Sequence, residues 1–479
     1  MKCVFLGNSM IIMKFGGTSI KDVSCIRRVI DIIQSRLDHS PVLVFSAMGK
    51  TTRLLLEAAR SRAAGNSESA DFLKKDIEEY HRNIASELFG RKGTDCNLET
   101  LLEEFSCAFR SIPVHDRLSD QDHDRLISFG ERFSTAIMVS ALKKAGIGAI
   151  DLDARRIIRT DSRFTRAKPN MDSTRSAIRE HLIPESSRRT VVTQGFIGSD
   201  EKGNTTTLGF EGSDFTAALL GWGTDAKEIQ IWKDVPGVMT ADPLIIEDVK
   251  TVPSLSYDEV EVLTRCGAKV LHPMTMAPAR KKVIPVRILD STNPNAPCTL
   301  ISRSGGKGGP VRSITIRKDM VTVRIKVSRN DASRLFQKMQ SENKDAGCPW
   351  ICFSEKDGIT IVTSADNWKT VASSSGLLNY SQNFSSSMAL ISLVGAALTG
   401  YRLRQQEVFE MMGNIPVQIL SCTISPMARH LLVKETDSLS ALRLLHENIF
   451  CLKHPSNFYF EVSHVKDSAC WIRQNGTID

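Results

Sequence analysis

Two strand-to-helix turns of the same build constrain this chain more than anything else in it. The apolar run Met10-Ile-Ile-Met-Lys-Phe15 reads as a buried strand and breaks at Gly16-Gly17-Thr18-Ser19. Apolar positions then recur at Val23, Ile26, Val29, Ile30 and Ile33 with the period of a helix. The run Pro41-Val-Leu-Val-Phe-Ser46 likewise enters Ala47-Met-Gly-Lys-Thr51 and a helix carrying Leu54, Leu55 and Leu56. Strand, glycine-containing turn, helix, strand is the grammar of an α/β layered fold with a parallel sheet. Further strands are expected at 146–152, 190–194, 228–232 and 283–289, with a helix over 215–221 and a mainly helical, polar stretch near 62–125.

In open α/β sheets, ligands bind at the carboxyl ends of the strands. The first turn places Lys14 at the end of a strand, followed by two glycines that let the backbone approach an anion. The helix that follows turns its N–H groups and positive dipole end toward the same place. It is not a Walker A loop, which needs GxxxxGK[ST]. Alone, such a turn reads rather as an ordinary tight turn with a surface lysine. Paired with Ser46-Ala-Met-Gly-Lys-Thr-Thr52, it describes a site for an anionic ligand.

The pattern changes after Ser302-Arg-Ser-Gly-Gly-Lys-Gly-Gly-Pro310, which has no apolar period and reads as a linker. Residues 320–327 alternate at period two. A helix is expected at 332–339 and strands at 350–353 and 359–362. The order then repeats: strand 388–394, helix 403–412, strands 417–423 and 430–433, helix 438–450. This suggests two small ferredoxin-like modules.

Composition narrows the function. At 41% hydrophobic and 24% charged, the 479 residues are those of an ordinary globular chain, not a disordered, collagenous or disulfide-stapled one. The longest apolar runs fall short of the ~18–20 residues that span a membrane. The net charge of +8 is spread along the chain. Even the cluster Arg155, Arg156, Arg159, Arg163, Arg166 and Lys168 is interleaved with Asp151, Asp153 and Asp161, so no nucleic-acid patch is expected. Eleven cysteines, an odd number without a CxxC pair, point to free thiols in a reducing cytoplasm. No secretory signal opens the chain, and Met10 and Met13 leave the start codon open. His115-Asp116 and His123-Asp124 read as a polar loop entering a helix, and no protein-bound metal is expected.

The longer motifs carry a resemblance. KFGGTS (14–19), FSAMGKTT (45–52), SFGERFST (128–135), TQGFIGSDEKGNTTTLG (193–209), GSDFTAALL (212–220), KDVPGVMTADP (233–243) and CGAKVLHPMTMAPA (266–279) occur in one order. With them the chain resembles the aspartate kinases of the amino-acid kinase superfamily. The resemblance is strong over the first ~300 residues and weak beyond. It implies an amino-acid kinase fold, a three-layer α/β/α sandwich, over 1–303 and a Gly-rich linker at 304–310. Two ACT modules would follow at 311–385 and 386–465, with a tail at 466–479. It implies a cytoplasmic homodimer that moves a phosphoryl group from MgATP to the β-carboxylate of L-aspartate. The product, 4-phospho-L-aspartate, opens the route to lysine, methionine and threonine.

Carried over position by position, the family's roles make Lys14 and Asp214 catalytic. Lys14 would meet the transferring phosphates, with Phe15, Gly16 and Gly17 beside them, the glycines as backbone donors. Lys233, Asp234, Met239, Lys269 and Val270 would bind the nucleotide. Ser46, Thr51, Glu131, Ser213 and Asp214 would bind the substrate, Glu131 through its ammonium. Magnesium would arrive mainly on ATP. An amino-acid effector, lysine first, is expected at the ACT modules, where Gly395-Ala-Ala-Leu-Thr-Gly400 matches a second-module loop. Val327-Ser-Arg-Asn-Asp-Ala332 lacks the first module's glycine turn.

Lys233 and Met239 stand where the family more often has Thr and Tyr. Leu244 stands where many relatives have an arginine. The larger departure is Phe210-Glu211, where the family reads Arg-Gly and the arginine grips a substrate carboxylate. Phenylalanine makes no bidentate clamp. Either a nearby cation such as Lys202 or Arg166 substitutes, or the substrate is another carboxylate, or the chain is a non-catalytic amino-acid sensor.

Overall fold

The computed structural model describes residues 10–90, 97–115, 117–209, 211–268, 271, 273–306, 309–328, 331, 334–335, 351–355, 358–375, 382–399, 405–420 and 425–451, with backbone alone at 273–274, 351–355, 370–371, 374–375, 382 and 405–406.

Ten strands precede residue 304: β1 Ile11–Phe15, β2 Val42–Phe45, β3 Ala149–Asp151, β4 Thr190–Gln194, β5 Ile197–Ser199, β6 Thr205–Thr207, β7 Glu228–Lys233, β8 Ser254–Ser256, β9 Val286–Asp290 and β10 Thr299–Ser302. Eight form one sheet in the order β3-β4-β2-β1-β7-β9-β10-β8. The pairings from β3 to β9 are parallel, whereas β10 runs antiparallel to β9 and parallel to β8. β5 and β6 make a separate antiparallel hairpin.

Alternation along the central strands builds two cores. Ile11, Met13 and Phe15 of β1, with Leu43 and Phe45 of β2, face helices Val23–Gln34, Thr51–Ala63, Ser67–Phe89, Leu98–Arg110 and Phe129–Lys144. Ile12, Val42, Val44, Ile229 and Ile231 face helices Gly212–Thr224 and Tyr257–Arg265. Lys14 falls in register with the second set, so period two alone aims its side chain at helix Gly212–Thr224. At the carboxyl ends of β2, β1 and β7, the paired residues Phe45, Phe15 and Trp232 stack with centroids 5.4 and 5.9 Å apart. This closed aromatic floor lies directly beneath the turns that follow each strand.

The remaining strands, β11 Ser313–Ile325, β12 Ile351–Glu355, β13 Gly358–Ser364, β14 Gln382–Val394, β15 Gln418–Leu420 and β16 Ala428–Lys434, form an antiparallel sheet in the order β12-β13-β11-β14-β16-β15. β11 and β14 are longer than alternation alone suggested. The structure carries β11 through Arg317-Lys-Asp319 as a β-bulge: Asp319 takes φ 56° and the register with β14 shifts between Arg317 and Met320. The residues before the bulge pair with the half of β14 that also holds β16; those after it pair with β13. The expected division at 385/386 therefore falls inside β14, and the two modules interlock through shared strands.

The glycine-rich segment is not a free linker either. A Cβ on Gly306 would meet the Ser254 hydroxyl at 1.7 Å, and Arg312 donates to the Gly306 carbonyl. The tail at 466–479 and the 332–339 helix fall largely or wholly outside the described residues.

Candidate active site

The turns after β1 and β2 are bonded to each other. Ser46 N–H donates to Phe15 O (3.2 Å) and Gly49 N–H to Gly17 O (3.0 Å). A Cβ on Gly17 would meet the Ala47 carbonyl at 2.3 Å, so this close approach admits only glycine. Gly16 N–H donates to Trp232 O at 3.1 Å. In this structure the Gly16 N–H is thus engaged by the end of β7 and helps fix the turn. Phe15 is wholly buried in the aromatic floor, so its part is structural support.

Lys14 Nζ lies 2.6 Å from one Asp214 carboxylate oxygen, and Lys233 Nζ lies 3.5 Å from the other. Asp214 sits in the first turn of helix Gly212–Thr224, with Ser213 buried beside it. Burial by itself would raise the Asp214 carboxyl; the Lys14 and Lys233 ammoniums outweigh it and hold the group below the ordinary aspartate range. Two cations from adjacent strands are thus gathered on one carboxylate at the mouth of the sheet. Ser291, just after β9, ties these ends together: its hydroxyl donates to Lys233 O (2.8 Å) and lies 2.7 Å from the Ser19 hydroxyl.

Glu131 enters from helix Phe129–Lys144. Gly130 lets that helix start against the second turn, where a Cβ would meet Ala47 Cβ at 2.7 Å. One Glu131 oxygen accepts from Ala47 N–H at 3.2 Å; the other is buried without a hydrogen-bond partner among the described residues. Desolvation dominates, and the Ala47 N–H and the Lys14 charge counter it only in part, so the carboxyl is pushed up to about 8. A buried, unpartnered acceptor beside a two-lysine cluster offers one place for a cation and one for anions.

Thr51 is buried, its hydroxyl 3.4 Å from His81 Nε2. His81 Nδ1–H donates to Ile77 O at 2.7 Å, and burial pushes the imidazole down to about 4, so it stays neutral with Nε2 as acceptor. Ser46 is half-buried at the lip of the second turn. Asp234 is exposed on the loop after β7. Met239, further along that loop, bridges to Thr251, whose hydroxyl donates to its sulfur at 3.8 Å. The structure therefore gathers Lys14, Glu131, Asp214 and Lys233 with Ser213 and the two turns; Asp234 and Met239 stand on an adjoining loop. Lys269, Val270 and Phe210 lie outside the described residues. Asp116 does too, and no cluster of metal-ligating side chains occurs among those described. His123 instead donates to Asp124 at 2.9 Å, within a buried structural network.

The sequence reading missed Phe196 and His81. Phe196 holds φ 69° with its N–H on the Thr216 hydroxyl (3.0 Å), and a Cβ on Gly212 would meet its ring at 2.7 Å. A bulky residue at positive φ is rare and concentrates at functional sites. The only trace in the sequence is the glycine on either side of Phe196-Ile197.

A parallel sheet with two lysines and two buried acids at the carboxyl ends of its strands defines the class: an α/β protein that takes a small anionic ligand together with a cationic group. Comparison with known proteins refines this. Residues 9–290 match the profile described as "Amino acid kinase family". Over 92% of its length the chain is 30% identical to the whole of lysine-sensitive aspartokinase 3 of Escherichia coli (strain K12). It is 36% identical over 65% of its length to chloroplastic aspartokinase 2 of Arabidopsis thaliana, spanning 58% of that protein. The structure is similar to E. coli aspartokinase III in complex with aspartate and ADP, with a TM-score of 0.78 and 27% identity over 92% of this chain and all of that one. The lysine and aspartate complex of the same enzyme gives a TM-score of 0.73 at 28% identity, again over 92% of this chain and all of that one. The chain belongs to the amino acid kinase family, among its aspartokinases.

Proposed function

We propose that this protein transfers the γ-phosphoryl group of MgATP to the β-carboxylate of L-aspartate, giving 4-phospho-L-aspartate. One observation carries the reading: the buried Glu131 oxygen that has no hydrogen-bond partner among the described residues, beside the Lys14–Asp214–Lys233 cluster. An amino acid that carries both an ammonium and a nucleophilic carboxylate matches that pair of sites. A carboxylate is already a nucleophile near neutral pH, so no general base is needed. The demand is to bring two anions together and neutralise the charge that develops on the transferring group. In this reading Lys14 and Lys233 supply that charge. Asp214 holds both ammoniums in place, and Ser46, Thr51 and Ser213 orient the substrate. The loop carrying Asp234 and Met239, with Lys269 and Val270, takes the nucleotide.

Magnesium suits these residues as an ion borne on the phosphates. Asp214 is engaged by two lysines, and an ion that keeps several waters needs no protein cage. When bound, it supplies charge to the phosphate oxygens. The solved relative's lysine complex supports an amino-acid effector, which this reading assigns to the C-terminal sheet. Over 382–387 the side of β14 away from β11 carries no described strand, and Phe384 is exposed there, which supports a homodimer. Free cysteines at positions such as 25, 107 and 266 suit a reducing, cytoplasmic compartment.

The test is acyl phosphate trapping by hydroxylamine with MgATP and L-aspartate, L-glutamate, N-acetylglutamate or no acid. Hydroxamate from aspartate is expected. Product from another acid alone would replace aspartate by that acid, and nucleotide binding without turnover would leave a sensor.

A further inference from the structure

Backbone strain gathers on one side of the proposed site. Thr165 holds φ 71° and Phe196 φ 69°, and both abut the segment that leads to Asp214. A Cβ on Gly209 would come within 3.3 Å of Thr165 O and 3.6 Å of Arg166 Cα and Cβ. Non-glycine residues persist in that region only when their surroundings over-determine them, and here they do. The fully buried Asp124 carboxylate accepts Thr165 N–H (2.9 Å), Thr207 N–H (2.8 Å) and the Thr207 hydroxyl (2.8 Å). Ala167 N–H donates to Thr207 O (2.8 Å), and the Thr160 and Thr206 hydroxyls meet at 2.7 Å. The loop is thereby locked along β6, with Arg166 alongside Gly209, the residue before position 210.

Arg166 is exposed, and no ion pair among the described residues engages it. Its neighbours are engaged: Arg163 with Asp161 at 3.0 Å and Arg155 with Asp153 at 2.6 Å. Lys202 is the other cation near this motif. It sits at the tip of the β5–β6 hairpin, in a cleft with Asp161 and Glu201. At roughly 3.3 Å per extended residue, the chain from that tip to Gly209 spans up to about 20 Å, more than the length of a lysine side chain.

We propose that Arg166 is a specificity-determining residue that grips the second carboxylate of the amino-acid substrate, supplying from the neighbouring loop the guanidinium this chain lacks at position 210. The inference rests on the proposed function. With an ammonium at Glu131 and the reacting carboxylate near Lys14, the other carboxylate needs a cation that Asp214 has not already engaged. Arginine suits it, since its planar fork matches a carboxylate bidentately.

Steady-state kinetics on the full-length protein test this. Arg166→Gln is expected to raise the KM for aspartate roughly ten- to a hundredfold, while kcat and the KM for MgATP stay within about twofold. Arg166→Lys should fall between, and Lys202→Gln should match the parent. Phe210→Arg placed in the Arg166→Gln background should restore the aspartate KM. An unchanged aspartate KM in Arg166→Gln overturns the proposal, as does an equal rise in the KM for MgATP. A merely structural role would lower kcat and thermal stability together and would not be rescued from position 210. If the parent turns over a different amino dicarboxylate, the proposed function fails and the same comparison is made on that acid. If it turns over none, calorimetric L-aspartate affinity decides: equal values for parent and Arg166→Gln overturn the assignment.

Discussion

The two sheets place their chemistry differently. In the larger sheet, three neighbouring parallel strands bring residues of the proposed site to one edge. Lys14 leaves β1, Ser46 leaves β2 and Lys233 ends β7, and register alone brings them together. In the antiparallel sheet, no strand end carries such a cluster among the described residues. What matters there is what the strands touch along their length. The front half of β11 bonds to two segments of the first region: Ser313 hydroxyl to Met239 O (2.8 Å) and Ile314 N–H to Thr240 O (2.8 Å), then Thr315 hydroxyl to Cys266 O (2.9 Å). Those segments are the Met239 loop and the approach to Lys269. Glu259, buried in the first region, likewise accepts Ala396 N–H (2.8 Å) from the loop after β14 and pairs with Arg312 at 3.6 Å. One sheet carries the proposed site; the other is fastened to the segments proposed to take the nucleotide.

The sharpest way to break that contrast is at Lys14. Lys14→Met should lower kcat/KM by roughly a hundred- to a thousandfold or more. It also leaves Asp214 buried with a single partner at 3.5 Å, at a cost of about 3–5 kcal/mol. Adding Asp214→Asn should recover much of that stability and none of the activity. Urea denaturation beside hydroxamate assays separates the two effects. If the double variant regains activity, the cluster is structural rather than catalytic.

A smaller, graded effect is expected from Glu131. Its carboxyl, at about 8 in the free protein, must be ionised to receive an ammonium. The kcat/KM for aspartate should therefore climb close to tenfold per pH unit below about 8 and level above it. Glu131→Gln should flatten the profile. The folded protein holds this proton more tightly than the unfolded chain. Its burial thus removes stability progressively as pH rises from the ordinary glutamate range through about 8. Saturating aspartate should offset that loss, so its Tm increment should grow with pH. A pH-independent increment would place the ammonium elsewhere.

Much of the first region was legible because its signals are local. The apolar run, the glycine pair and the lysine that make the first turn are contiguous, and period two already aimed Lys14 at the helix that carries Asp214. What escaped was set by tertiary contact. His81 reads as one more position on a long polar helix until helix packing brings it to Thr51. Phe196 gives no sign of its positive φ. Arg166 looks like one of several interspersed arginines until Asp124 fixes its loop. In the antiparallel sheet the failure was of another kind. A bulge at Asp319 hid the continuity of β11, so two interlocked modules read as two consecutive ones.

The smallest effect is also the most direct test of the contrast, because it uses one substitution on two halves of one strand. Thr315, before the bulge, donates across to Cys266 O. Thr322, after it, has its hydroxyl buried with no hydrogen-bond partner among the described residues. Threonine to valine nearly preserves shape and removes only the hydroxyl. Thr315→Val should cost about 1 kcal/mol and leave a buried carbonyl short of a donor. It should also raise the KM for MgATP severalfold, because Cys266 begins the segment that runs to Lys269. Thr322→Val removes a desolvated hydroxyl that nothing satisfies, so stability should hold or rise by up to about 1 kcal/mol, with the KM for MgATP unchanged. Equal responses from the two variants would mean that the halves of β11 do not differ in what they fasten. The bulge would then be a detail of twist rather than the boundary between a half that grips the nucleotide side and a half that does not.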